Sequence, residues 1–86
     1  MISPLQVRMA RAALGWGVRD LGAQAGISAN TVSRFETGGG AMVDTLVQMQ
    51  MALEKAGIVF IYADEYGGPG VRLRNAPPRS TVKRRR

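Results

Sequence analysis

Residues 18–37, VRDLGAQAGISANTVSRFET, decide how the rest of the chain is read. Leu21, Ala25, Ile27, Val32 and Phe35 are the apolar positions of this stretch. Leu21 and Ala25 stand four apart, and Val32 and Phe35 three apart, so each pair shares one face of a helix. Gly22 falls where two steeply crossing helices leave no room for a side chain. Gly26 falls four residues later, where the chain must turn, and glycine takes a left-handed backbone without a Cβ penalty. Ser28 follows as an N-cap, its hydroxyl placed to accept a free amide of the next helix. The stretch reads as a helix-turn-helix whose second helix runs over about residues 29–37.

Toward the N-terminus, Ser3-Pro4-Leu5-Gln6 is a helix start. Ser3 caps, Pro4 has its φ preset at the first helical position, and Gln6 completes a capping box. Val7, Ala10 and Leu14 then share a face with Arg11, and Gly15 ends the helix. Trp16 has two readings, a plug for the corner before the next helix or an indole N–H donor to phosphate; the plug is favoured. The next helix starts near Val18.

Toward the C-terminus, Gly38-Gly39-Gly40 reads as a flexible joint, and a fourth helix runs from about Met42 to Ala56 with Gly57 as its stop. Leu46, Met49 and Leu53 form its core stripe. Val43, Val47 and Met51 form a second stripe, wider than one small core needs, which suggests a partner surface. In IVFIY, residues 58–62, the period changes. Five consecutive β-branched or aromatic residues predict a strand buried on both faces. Residues 63–70 are a polar, glycine-rich turn, and Val71-Arg72-Leu73-Arg74 alternates as a returning strand. A lone two-stranded hairpin is marginal in water, so it needs a cover. Residues 75–86, with Pro77-Pro78 and RSTVKRRR, have nothing to bury and read as a disordered basic tail.

Composition narrows the function. Eighty-six residues make one small domain. No cysteine and no histidine are present, which excludes disulfides, thiol chemistry, zinc sites and histidine-based catalysis. The longest apolar run, Ile58 to Ala63, is far short of a membrane span, and no signal-peptide pattern opens the chain. The expectation is a cytoplasmic protein that is not an enzyme, needs no cofactor or metal, and shows no evident small-molecule ligand. The net charge of +6 is unevenly distributed. Residues 1–71 carry five cations (Arg8, Arg11, Arg19, Arg34, Lys55) against six acids (Asp20, Glu36, Asp44, Glu54, Asp64, Glu65), a balance of −1. Residues 72–86 carry seven cations and no acid. Attraction to phosphate must then come largely from the tail.

The run LGAQAGISANTVSRFETG resembles the helix-turn-helix of the phage repressor/Cro-like, or xenobiotic-response-element, family, and a looser similarity covers most of residues 4–57. The resemblance implies a mostly α, lambda-repressor-like domain of four helices over residues 1–57, here followed by the hairpin of residues 58–74. It implies a DNA-binding regulator and assigns roles residue by residue. Arg11 pairs with Glu36 to lock the first helix to the third. Ala29, Asn30 and Arg34 meet base edges, and Ser33 lies on the same side. Arg34 is the sharpest of these, because its fork matches the major-groove edge of guanine; a phosphate-bound or solvated arginine is the alternative. Ser28 and Thr37 are phosphate contacts, with Arg19 and the tail residues Arg79, Lys83, Arg84, Arg85 and Arg86. The sequence departs from the family pattern at Val18 and Ala29, where glutamine is frequent, and after Gly38, where basic residues are frequent. Val18 gives up a backbone contact for which Arg19 is the substitute, Ala29 gives up an adenine contact but keeps a methyl for thymine, and the missing basic residues weaken backbone binding.

The expected partners are double-stranded DNA and a second copy of the chain. The dimer surface is read as Val47, Met51, Ile58, Val59, Phe60, Ile61, Tyr62, Val71 and Leu73. The alternative is a protein-interaction module of the same fold, an antitoxin or antiactivator, for which another regulatory protein is the partner. The near-neutral core favours that alternative, whereas Asn30, Arg34 and the tail oppose it.

Overall fold

The computed structural model describes residues 1–76. The basic tail beyond Ala76, with Arg79, Lys83, Arg84, Arg85 and Arg86, lies outside the described residues. The elements are α1 (Pro4–Leu14), α2 (Val18–Ala25), α3 (Ala29–Glu36), α4 (Val43–Lys55), β1 (Ile58–Ile61) and β2 (Gly70–Leu73). Four helices and one antiparallel hairpin are the architecture that the sequence periodicities predict.

The first helix begins as its residue order dictates. The Gln6 amide donates to Ser3 Oγ at 3.1 Å, and the Ser3 amide donates to Gln6 Oε1 at 3.0 Å, a complete capping box. Ile2 and Val7 occupy the two positions of a hydrophobic staple around this cap, and both are buried in the core. At α2 only half a box exists, because Gly17 has no side chain; its amide donates to Asp20 Oδ2 at 2.7 Å. Gly26 closes α2 at φ +74°. Gly22 is required for a different reason. A Cβ there would stand 2.8 Å from the Ile27 carbonyl oxygen and 3.2 Å from the Ala29 nitrogen, so any side chain would push the turn off α2.

Leu21, Val32, Met49, Leu53 and Ile58 are the fully buried centre, joined by Ile2, Val7, Ala10 and Phe35. Each such large side chain contributes about 1.5–3 kcal/mol by leaving water. The hairpin closes the core from the side of α1 and α4. Its register pairs Ile58 with Leu73, Val59 with Arg72, Phe60 with Val71 and Ile61 with Gly70. The fully buried Gln6 side chain reaches across from α1, its Nε2 donating to the carbonyls of Ile61 (2.8 Å) and Gly70 (3.1 Å). One α1 side chain therefore holds both strands at the end where they open into the turn.

Three expectations are corrected. The strand is buried on one face only: Ile58 is 1% exposed, whereas Val59 and Ile61 are 38% and 41% exposed. Successive strand residues point to opposite faces, and helices cover just one of them. Tyr62 lies past the end of β1 and is exposed. The triglycine is also more constrained than a joint. Gly38 donates its amide to the Phe35 carbonyl (3.0 Å) and Gly39 donates to the Arg34 carbonyl (2.7 Å), closing the end of α3.

Candidate nucleic-acid interface

The interface is built from how α3 is fastened. Val32, Phe35 and Glu36 are its buried residues, while Asn30, Ser33 and Arg34 are exposed and Ala29 is half-buried at its start. Glu36 is a carboxylate at 5% exposure, so it needs a partner. Arg11 supplies it in the bidentate form, Nε donating to Oε2 at 2.6 Å and Nη2 to Oε1 at 2.7 Å. The remaining Nη1 donates to the Trp16 carbonyl at 2.9 Å, so one guanidinium ties α1, the following turn and α3. Hydrogen bonding to Glu36 raises the Arg11 pKa above its ordinary value, opposed by burial, so the cation persists at any working pH. Arg8 adds a second tie, Nη1 donating to the Glu36 main-chain carbonyl at 2.6 Å at the C-terminal end of α3. Nothing in the residue pattern singles out Arg8; its partner lies 28 residues away.

The polar residues around α3 are partly committed already. Ser28 Oγ accepts from the Thr31 amide at 3.1 Å and shares a 2.8 Å hydrogen bond with Thr31 Oγ1. Thr37 donates its hydroxyl proton to the Ser33 and Arg34 carbonyls, at 3.0 and 3.2 Å. A hydroxyl has a single proton, so Thr37 cannot donate it to phosphate without giving up these two carbonyls. Ser28 and Thr37 remain exposed, as does Arg19 near the start of α2. Val18, in the place where glutamine is frequent, packs against the core, and Trp16 does the same at half burial. The face thus offers Asn30, Ser33 and Arg34 on a helix held at both ends.

The residues assigned to a dimer surface divide into two sets. Ile58 belongs to the core of its own chain and is not free for a partner, which corrects its assignment. Phe60, Val71 and Leu73 are half-buried on the inner face of the hairpin and pack against that core. Val59, Ile61 and Tyr62 are exposed, as are Val47 and Met51 on α4. Among the described residues, no group of three or more His, Cys, Asp or Glu gathers to hold a metal ion, and no helix is long and apolar enough to cross a membrane.

Comparison with curated proteins returns no match. Comparison with protein families matches a helix-turn-helix domain over residues 5–49, which is 45 of the 86 residues. The match takes in α2 and α3 whole, nearly all of α1 and the first half of α4, and so includes both helices that Arg11 and Glu36 join. The chain belongs to the helix-turn-helix domain family.

Proposed function

We propose that this protein is a sequence-specific DNA-binding transcriptional regulator of the phage repressor/Cro-like kind, acting as a homodimer with α3 in the major groove. The observation that carries the reading is the fastening of α3. A helix tied through Glu36 to two arginines of α1 shows a fixed row of Asn30, Ser33 and Arg34 to solvent. Rigid display is what base readout requires, because a bidentate contact fails when its donor wanders. Arg34 reads guanine, Asn30 and Ala29 stand beside neighbouring bases, and Ser33 faces the same groove. Arg19, Ser28 and the basic tail meet phosphates, which position the domain without reading sequence; Thr37 joins them only by giving up its hydroxyl bond to the Ser33 and Arg34 carbonyls. Two copies would set their recognition helices about 34–36 Å apart on a palindromic site.

Arg34→Ala tests the reading. Binding to a duplex selected from a random library should weaken by roughly 1–3 kcal/mol, while affinity for random duplex barely changes. Equal losses on both would demote Arg34 to a phosphate contact.

A second reading, a protein-interaction module, is favoured by one observation. Met42, which caps α4, and Val43, Val47 and Met51 within it are all exposed, at 43–76%. Salt separates the two readings. A DNA binder loses affinity for random duplex steeply as salt rises, whereas an interaction module has little affinity to lose.

A further inference from the structure

We propose that Gly39 is a positioning residue for Arg34: the missing side chain is the space through which the arginine stem runs, and it sets where the guanidinium stands. The proposal rests on the reading of α3 as the recognition helix. The three consecutive glycines after α3 are not equivalent. Gly38 and Gly40 take left-handed backbones, at φ +94° and +76°, and a Cβ on either would meet nothing within 4 Å. Gly39 is the reverse. Its backbone lies outside the left-handed region, so its φ does not call for glycine. Yet a Cβ built on it would overlap Arg34 Cγ, stand 2.8 Å from the Arg34 carbonyl oxygen and lie 3.3 Å from Arg34 Cδ.

Glycine at position 39 is thus demanded by Arg34 twice, by its side-chain stem and by the main-chain carbonyl that closes the turn, and not by a left-handed φ. The Gly39 amide also donates to the Arg34 carbonyl at 2.7 Å, so the loop is fixed to the residue whose side chain it borders. An arginine stem is rich in rotamers, and ordering it on binding is costly. A backbone wall against Cγ and Cδ removes some of those rotamers beforehand, which is preorganisation. The family pattern implied a basic residue near this position; the loop instead has a glycine that serves the base-reading arginine.

The test is a double-mutant cycle between Gly39→Ala and Arg34→Ala. The probes are a duplex that the parent protein enriches from a random-sequence library and an unselected random duplex. Gly39→Ala should lower the ratio of selected to random affinity by about 3- to 10-fold, the effect of forcing one torsion off its rotamer. In the Arg34→Ala background the same change should lower the ratio clearly less. The overlap with the Arg34 carbonyl is common to both backgrounds and cancels in the cycle. Without DNA, the Arg34 Nε–H resonance should shift in Gly39→Ala while that of Arg11, clamped by Glu36, stays in place.

An equal loss on both duplexes, or the same loss in the Arg34→Ala background, would overturn the proposal and make Gly39 a site of close phosphate approach. An unmoved Arg34 resonance in a folded Gly39→Ala would overturn it too. Should that variant fail to fold, nitrogen relaxation in the parent decides. Arg34 Nε should be more ordered than Arg19 Nε, and equal mobility would overturn the proposal. A parent that enriches no sequence would sink the DNA reading by itself, and the resonance and relaxation data would still decide whether Gly39 positions Arg34.

Discussion

Helix α3 and the hairpin are both short, and both depend on α1, but they are held in opposite ways. Helix α3 is fastened by charged side chains at its C-terminal end, by the Ser28 cap at its start and by buried Val32 and Phe35 along its inner side. The hairpin has two polar ties, Gln6 at its turn end and Arg74, which donates to the Glu54 carbonyl of α4 at its other end, and an apolar inner face centred on Ile58. Its outer face shows Val59 and Ile61 to solvent. The first region has its contacts satisfied within the chain and leaves only polar groups outward. The second leaves apolar ones. The proposed DNA-reading role of the first and the proposed pairing of the second draw on that difference.

Removing the α3 fastening should have the largest effect. In Arg11→Ala the buried Glu36 carboxylate loses its partner, and a charge stranded in that way costs roughly 3–5 kcal/mol. Thermal or denaturant unfolding should show that loss. Arg11→Lys should recover only part of it, because an ammonium cannot make the paired contacts of a guanidinium fork. A loss below about 1 kcal/mol, the range of exposed pairs, would mean that Glu36 is solvated and α3 less firmly held than described.

Breaking the hairpin staple should cost less. Gln6→Ala leaves the Ile61 and Gly70 carbonyls without their donor and removes half of the capping box. Each buried group left unsatisfied costs about 1–3 kcal/mol, reduced here wherever water reaches the strand ends. Amide hydrogen exchange should accelerate first in β1 and β2, with α2 and α3 still protected. Uniform acceleration would show that hairpin and helices unfold as one unit and would dissolve the distinction between the two regions.

How much of this was legible in the sequence also divides along the same line. The helix-turn-helix was readable because its signals are local: Leu21 and Ala25 four apart, Gly26 at the turn, Ser28 at the cap. The Arg11–Glu36 pair is not local and came only through the family resemblance, since nothing in spacing joins residues 25 apart. Gln6 was seen as a cap but not as a staple, for its strand partners lie 55 and 64 residues away. IVFIY misled because an unbroken apolar run carries no alternation from which a covered face could be read. Gly39 is hidden inside three identical residues, and its backbone φ and closeness to Arg34 distinguish it only in the fold.

The smallest effect on folding should come from the outer face of the hairpin, where the effect on assembly should be clearest. Ile61 is 41% exposed and pairs with Gly70, which has no side chain to shield it. Val59 beside it pairs with Arg72, whose side chain is exposed on the same outer face. An exposed apolar strand face on a two-stranded sheet invites pairing, and a second copy across a two-fold axis would cover it. Ile61→Arg adds a charge where the chain itself makes few demands, so monomer stability should change by no more than about 0.5 kcal/mol. Phe60→Arg is the contrasting variant. Phe60 packs against the core, so a charge there should unfold the hairpin and not merely separate two copies. Sedimentation equilibrium at micromolar concentration should give a dimer for the parent and a folded monomer for Ile61→Arg. A parent that sediments as a monomer would sink the hairpin dimer, and pairing on a palindromic site would then have to arise on the DNA. A dimer that survives Ile61→Arg and yields instead to Val47→Arg would move the interface to α4, where Val47 and Met51 are exposed.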